Sequence, residues 1–396
     1  MKGCFSIFHL IRCCAIIYCM RKETLCLHAV QDATHTTGAV CVPIYQTATF
    51  SRSGVGEGTG YDYSRVQNPT REHVEKLVAA LEGGSDGLAF SSGMAAIAAM
   101  MELFSPGDEI IASDDLYGGS VRFFDVISKK NGIVVHYADT SNLFSIKTYL
   151  TDRTKGVFIE TPTNPMMKVT DIAAVKQLIA GRDILLMVDN TFLTPYFCRP
   201  IELGADIVTH SGTKYLGGHN DTLAGFLVAA TGELGEKLKF IHKTIGAVLA
   251  PFDAYLITRG IKTLAIRMEK SQHNAGIIAA WLKKHPKVKK VYYAGLPEHP
   301  DIEVSKKQSS GFGAMISFSV DSAETAHTVL KRIKIILFAE SLGGVETLMT
   351  YPVTQTHSYI PEAERLARGI DDTLLRLSVG IENAADLVED LERALA

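Results

Sequence analysis

From about Gly83 to Gly225 the chain repeats one unit: a short apolar run, a turn, then an amphipathic run. GLAF (Gly87 to Phe90), the apolar part of SPGDEIIAS, IVVHYAD, KGVFIE, DILLMVDNTF and ADIVTHSG read as strands. SSGMAAIAAMMELF has helical spacing, with Ser91 and Ser92 as candidate N-caps. VRFFDVISKKNG reads as a helix closed by Asn131-Gly132, and DIAAVKQLIAG as one closed by Gly181. Continuously apolar strands that alternate with helices predict an α/β fold: a mostly parallel sheet covered by helices on both faces.

Outside that core the pattern changes. Leu256 to Leu282 predicts one long helix without turn chemistry, and GFGAMISFSV followed by AETAHTVLKRI predicts a smaller C-terminal α/β layer. The segment before about Glu72 is rich in Gly, Ser and Thr and reads as an arm. GVGEGTG (Gly54 to Gly60) resembles a dinucleotide fingerprint only loosely; with no strand before it and no helix after it, it reads as a loop.

The 396 residues suffice for two domains, and a net charge of -3 leaves no electrostatic footprint for nucleic acid or an acidic membrane. Four of the seven cysteines crowd into the first twenty residues, MKGCFSIFHLIRCCAIIYCM. His9 and Arg12 interrupt that stretch, which falls short of the roughly 20 uninterrupted apolar residues of a membrane span. It lacks a clean signal-peptide cleavage pattern as well, so Met20 is expected as the working start; a membrane-anchored form is the competing reading. Cys26, Cys41 and Cys198 show no CxxC pair and no His at metal spacing, which implies no metal site and a reducing, cytoplasmic setting.

In open α/β sheets ligands sit at the carboxyl ends of strands, and the chemically interesting residues cluster there. MVDN ends a strand with Asp189, either an N-cap or the partner of a buried cation. VTHSGTKY ends the next with Ser211, Thr213 and Lys214. FSSGM places Gly93 and Met94 where a helix begins, either a plain cap or an anion site of free N–H groups. Together they ask for one ligand with a phosphate, a cationic nitrogen and a carbonyl. Pyridoxal 5'-phosphate has all three. Lys214 is then the residue that binds the carbonyl and afterwards serves as base, which requires burial and nearby positive charge to lower its pKa. Tyr117, in a glycine-rich loop after a strand, is either a core aromatic or a ring stacked on the cofactor.

The motifs YDYSRVQNPTR, AFSSGMAAI, DDLYGGS, ETPTNP, VDNTF, HSGTKYLGGH, FAESLGGVETL and LLRLSVGIE occur in this order. From about Arg21 onward the chain resembles the Cys/Met-metabolism family of pyridoxal-phosphate enzymes, the cystathionine γ-synthase and γ-lyase group. The resemblance implies a type I aminotransferase-like fold and a homo-oligomer, a dimer of dimers. It divides the chain into an extension outside the family (1–20), an arm reaching the neighbouring subunit (21–75), a cofactor-binding large domain (76–262) and a small C-terminal domain (263–396). It implies that Lys214 carries the cofactor, Asp189 faces the pyridine nitrogen and Tyr117 stacks on the ring. Gly93, Met94, Ser211 and Thr213 become phosphate ligands, and Tyr63 and Arg65 reach the neighbour's phosphate. Arg376 holds the substrate α-carboxylate as a bidentate fork, and Asn164 and Ser341 line the same pocket.

The implied reaction on small amino-acid substrates is a γ-replacement making cystathionine from an O-acylhomoserine and cysteine, in methionine biosynthesis by transsulfuration. Glu340 is either a solvated loop charge or the group that holds a distal amino group, with Asp62 assisting and Arg122 taking a carboxylate. A γ-lyase and an O-acetylhomoserine sulfhydrylase are the alternatives within the family. A catalytically silent cofactor-binding homologue is the alternative outside it, and the complete lysine, aspartate, tyrosine and arginine set argues against that reading.

Overall fold

Apolar β-branched runs too short for helices and flanked by turns become the centre of the structure, a computed structural model describing residues 20–30, 37–358 and 360–396. The expectations for the N-terminal extension fall on residues 1–19, outside those described. Seven strands form the large sheet: β1 (Asp86–Phe90), β2 (Glu109–Ser113), β3 (Val134–Ala138), β4 (Thr154–Glu160), β5 (Leu185–Asp189), β6 (Ile207–Ser211) and β7 (Gly225–Ala229). Their order is β1-β7-β6-β5-β4-β2-β3, and only β7 runs antiparallel to its neighbours. Val157, Phe158, Leu186, Met187, Val188 and Phe226 are all 0% exposed, as side chains on both faces of a helix-covered sheet must be.

A second sheet of five strands lies C-terminal: β8 (Val288–Tyr292), β9 (Met315–Val320), β10 (Leu337–Phe338), β11 (Leu348–Thr350) and β12 (Leu374–Ser378), in the order β10-β11-β12-β9-β8. The smaller α/β layer read from GFGAMISFSV and AETAHTVLKRI is therefore present, as β9 and the helix Ala323–Arg332. No helix among the described residues is long and apolar enough to cross a membrane.

Two expectations need correction. The single helix over Leu256 to Leu282 is two, Pro251–Ile261 and Leu264–Leu282. The break has a physical cause that local sequence does not carry. The Arg267 guanidinium turns back to donate to Gly260 O at 2.8 Å, Thr263 Oγ1 at 3.0 Å and Tyr215 O at 2.7 Å, tying the interruption to the loop that carries Lys214. Gly260 must stay bare, since a Cβ there would lie 2.2 Å from Gly217 O. The second concerns the segment before Glu72, read as an arm, which also carries regular structure. Lys22–His28 is a helix that buries Leu25 and Cys26 against the helices Pro69–Glu82 and Leu264–Leu282. Pro69–Glu82 itself spans the division drawn at residues 75 and 76, and opens on Asn68, whose Oδ1 accepts from Thr70 N at 3.0 Å. The Gly54–Gly60 stretch is loop, as read.

Candidate active site

The carboxyl ends of β4, β5 and β6 and the loops after β1 and β2 open into one cleft, with a cavity volume of about 200 Å³. It gathers Gly93, Met94, Tyr117, Asn164, Asp189 and Ser211, together with Thr213, Lys214, Glu340, Ser341 and Arg376. These residues come from sequence positions more than 280 apart, and only the fold makes them neighbours.

At the helix start, Ser92 Oγ caps Ala95 N at 3.1 Å and Ser92 O accepts from Ala96 N at 3.1 Å. Intrahelical bonding thus begins beyond Gly93 and Met94, leaving their N–H groups for an anion. A side chain at Gly93 would crowd the spot: its Cβ would sit 3.0 Å from Ser211 Cβ. Ser211 is steadied by its N–H, which donates to Thr191 Oγ1 at 2.9 Å. Thr213 Oγ1 accepts from Ala224 N at 3.0 Å, which closes the turn after β6.

Asp189 ends β5, and one of its oxygens accepts from Thr191 N at 3.0 Å. Directly opposite in register stands Glu160, the last residue of β4. Glu160 is buried and Asp189 is half-buried. Burial, then the charge of Asp189, raises the Glu160 pKa well above the usual range. Burial also raises Asp189, but Thr191 bonds and the neighbouring His210 oppose it. At Glu160 the rise is opposed by the Tyr117 N–H, which donates to its carboxyl at 3.1 Å, and by the Arg376 charge. Asp189 thus has the stronger hydrogen-bond support for its charged form, which suits it to meet a cationic nitrogen.

Lys214 reaches across the cleft, and its Nζ donates to Ser341 Oγ at 2.8 Å. Burial, and next the Arg376 charge, push its pKa down to about 8, with Glu340 opposing. Ser341 holds φ at 119°, a left-handed value that costs a side-chain-bearing residue about 1–3 kcal/mol. The next loop residues show why the strain persists: Gly343 packs so closely on Lys214 and Tyr215 that a Cβ would lie 2.7 Å from Tyr215 N.

Arg376 lies in β12, 1% exposed. It donates to Asn164 Oδ1 at 2.8 Å, Ser341 O at 3.2 Å and Thr350 Oγ1 at 3.2 Å. These partners are all neutral, so the guanidinium keeps its charge for an anion entering the cleft. Burial, its largest perturbation, lowers its pKa to about 10. Tyr117 is 38% exposed at the mouth, and its hydroxyl is raised by burial and then by Glu340.

Asp62 and Arg122 are absent from this cleft, and Tyr63 and Arg65, expected at the neighbouring subunit's site, also lie outside it. Asp62 pairs with Arg52 at 2.6 Å on the arm. Tyr63 is 46% exposed, and Arg65 lies 5.6 Å over its ring while donating to Lys243 O. Arg122 is exposed and reaches the site only through its charge, which opposes the rise at Tyr117. Conversely, sequence reasoning passed over Glu160, Thr191 and Thr356. Glu160 stood in the ETPTNP motif, and a carboxylate closing a strand beside the Asp189 strand was its signal.

A family model described as Cys/Met metabolism PLP-dependent enzyme matches residues 23–396. The chain is 50% identical over 373 residues to the cystathionine gamma-synthase/O-acetylhomoserine (thiol)-lyase of Bacillus subtilis (strain 168), covering 94% of this chain and 96% of that one. It is 48% identical, again over 373 residues, to the cystathionine beta-lyase of Lactococcus lactis subsp. cremoris (strain MG1363), covering 94% and 98%. Among solved structures it matches cystathionine gamma-lyase from Lactobacillus plantarum complexed with L-serine, with a TM-score of 0.93 and 46% identity over 95% of this chain and 98% of that one. The residues present fit the family's cofactor. A bare Gly93 leaves room beside Ser211, free N–H groups open a helix, a half-buried carboxylate stands at a strand end, and an amine with lowered pKa faces them.

Proposed function

The chain belongs to the Cys/Met metabolism PLP-dependent enzymes, and on that premise we propose that it joins the sulfur of L-cysteine to Cγ of an O-acylhomoserine to make cystathionine. The Cγ–O bond breaks, the Cγ–S bond forms, the acyl group leaves as a carboxylate and the thiol proton is released. Pyridoxal phosphate, when bound, supplies the electron sink for carbanion chemistry. The N–H groups of Gly93 and Met94 and the hydroxyls of Ser211 and Thr213 hold its phosphate, and Asp189 its ring nitrogen. Tyr117 covers the ring. Lys214 holds the carbonyl and then moves the proton from the substrate Cα, a task suited to an amine titrating near 8. Arg376, oriented by Asn164, takes the α-carboxylate. Tyr63 and Arg65, which lie off their own cleft, serve the neighbouring subunit's phosphate in a homodimer or a pair of dimers.

One observation favours an amino-acid thiol over sulfide as the second substrate. Glu340 lies on the shared edge of the cleft and a neighbouring groove of about 880 Å³. Asp221, Asp253 and Glu346 line that groove too. An acidic approach suits a second substrate that carries an ammonium group, as cysteine does and sulfide does not.

The names of the relatives favour a second reading, elimination from cystathionine by a γ- or β-lyase. The deciding assay offers O-acetyl- or O-succinylhomoserine with cysteine and, separately, cystathionine alone. Cystathionine formed from either ester is the expected result. Rapid release of 2-oxobutyrate or pyruvate from cystathionine, with negligible synthesis, would reverse the assignment.

A further inference from the structure

Behind the cleft, two residues outside the reaction meet on one buried carboxylate. Thr209 and Ser211 of β6 line the cavity, so His210 between them faces the other side of the sheet. There His210 Nε2 lies 2.6 Å from Glu82 Oε1, at the end of the helix Pro69–Glu82. A contact that short between an imidazole nitrogen and a carboxyl oxygen holds a proton on the line joining them. Asn190, which follows Asp189, donates its Nδ2 to the same Glu82 oxygen at 2.8 Å and to Cys198 O at 2.9 Å. Glu82 and His210 are 0% exposed and Asn190 1%. Glu82 Oε2, His210 Nδ1 and Asn190 Oδ1 find no hydrogen-bond partner among the described residues.

For packing alone this cluster is a poor choice, because each unpaired buried polar atom costs about 1–3 kcal/mol that an apolar replacement avoids. Its placement explains it better. Asn190 adjoins the residue facing the cofactor ring, and His210 adjoins one facing the phosphate. On the cleft side the same two strand ends are tied by Thr191, through Ser211 N at 2.9 Å and Asp189 Oδ1 at 3.0 Å.

We propose that Glu82 is a positioning residue for the cofactor: it clamps the ends of β5 and β6 from behind, through Asn190 and His210, and so fixes the separation of Asp189 from Ser211. This rests on the cofactor roles assigned above to those two residues. The test compares wild-type, Glu82→Gln and Asp189→Ala holoenzymes. It reads the rate at which bound pyridoxal phosphate is lost on dilution, the visible absorption of the bound cofactor, and thermal unfolding in saturating cofactor. Glu82→Gln is expected to lose cofactor about tenfold faster, the scale on which loss of one buried hydrogen bond acts. Its absorption band should shift, with little change in unfolding temperature. A lowered unfolding temperature with cofactor loss within twofold of wild type would make Glu82 merely structural and overturn the proposal. If Glu82→Gln precipitates, His210→Leu carries the same test, since Glu82 then keeps its bond to Asn190 while losing β6. Slow cofactor loss and an unchanged spectrum in Asp189→Ala would instead overturn the ring-nitrogen role on which the proposal stands.

Discussion

Lys214 Nζ donates to Ser341 Oγ at 2.8 Å, and Ser341 sits at φ 119° to accept it. The Lys214 amine is thus aimed by a strained residue 127 positions away in the chain. A carbonyl is captured only by the neutral amine. With its pKa lowered to about 8 rather than 10.5, Lys214 is neutral in a useful fraction at physiological pH. At pH 7.5 that fraction exceeds an ordinary lysine's by roughly 200-fold. Stopped-flow capture of pyridoxal phosphate by the apoenzyme should therefore climb about tenfold per pH unit below 8 and level off above it. A rate still climbing past pH 9.5 would show an unperturbed amine. Borohydride should fix the cofactor to Lys214, and a reducible adduct on another lysine in Lys214→Ala would remove the assignment.

Gly225 opens β7 directly behind the helix start at Ser92 and Gly93. A Cβ there would lie 2.0 Å from Ser92 O and 2.7 Å from Gly93 N, both backbone atoms with no rotamer to escape into. Gly225→Ala should displace the helix start as well as strain the sheet. The expected cost is about 3 kcal/mol of stability, accompanied by weaker cofactor binding in the fraction that folds. Denaturant unfolding and cofactor titration check the two separately. Unchanged affinity would mean that the N–H groups of Gly93 and Met94 do not hold the phosphate.

The sequence made most of this site legible because the site is built at strand ends, where apolar runs stop and polar residues begin. Asp189, Ser211 and Lys214 stand out for that reason, and the N-cap Ser92 marks the helix that faces them. Arg267, Glu82 and His210 do not stand out. Their meaning comes from contacts 52 and 128 residues away, which no local period records. The break at Lys262 and Thr263 was invisible for the same reason: it follows from where the Arg267 guanidinium goes, and neither residue is a helix breaker. Glu160 was readable and was missed, since its register opposite Asp189 follows once the strands are aligned.

Arg65 donates to Lys243 O and lies outside its own cleft. If it serves a neighbouring subunit, inactive Arg65→Ala and inactive Lys214→Ala chains should complement after exchange, because one of the two hybrid sites carries neither change. Random pairing predicts roughly a quarter of wild-type turnover, since half of the dimers are hybrids with one intact site of two. Verified subunit exchange without recovery of activity would mean that each site is complete within one chain.

In the proposed reaction, Glu340 is the residue expected to select the second substrate. It is exposed at the cleft edge and faces Lys214 and Arg376 closely enough to oppose their shifts. An ammonium group arriving there gains a charge-assisted hydrogen bond worth about 1.5–3 kcal/mol. Glu340→Gln keeps the shape and removes the charge. The KM for cysteine should rise by roughly 10- to 100-fold, with a smaller change in the KM for the O-acylhomoserine, whose α-carboxylate is assigned to Arg376 in the proposed reaction. Sulfide offers the discriminating control, because it has no ammonium to lose. In the variant, turnover with sulfide should fall far less than turnover with cysteine. An equal fall with both nucleophiles would move Glu340 from recognition of the second substrate to support of Lys214, and the preference for cysteine would then need another origin.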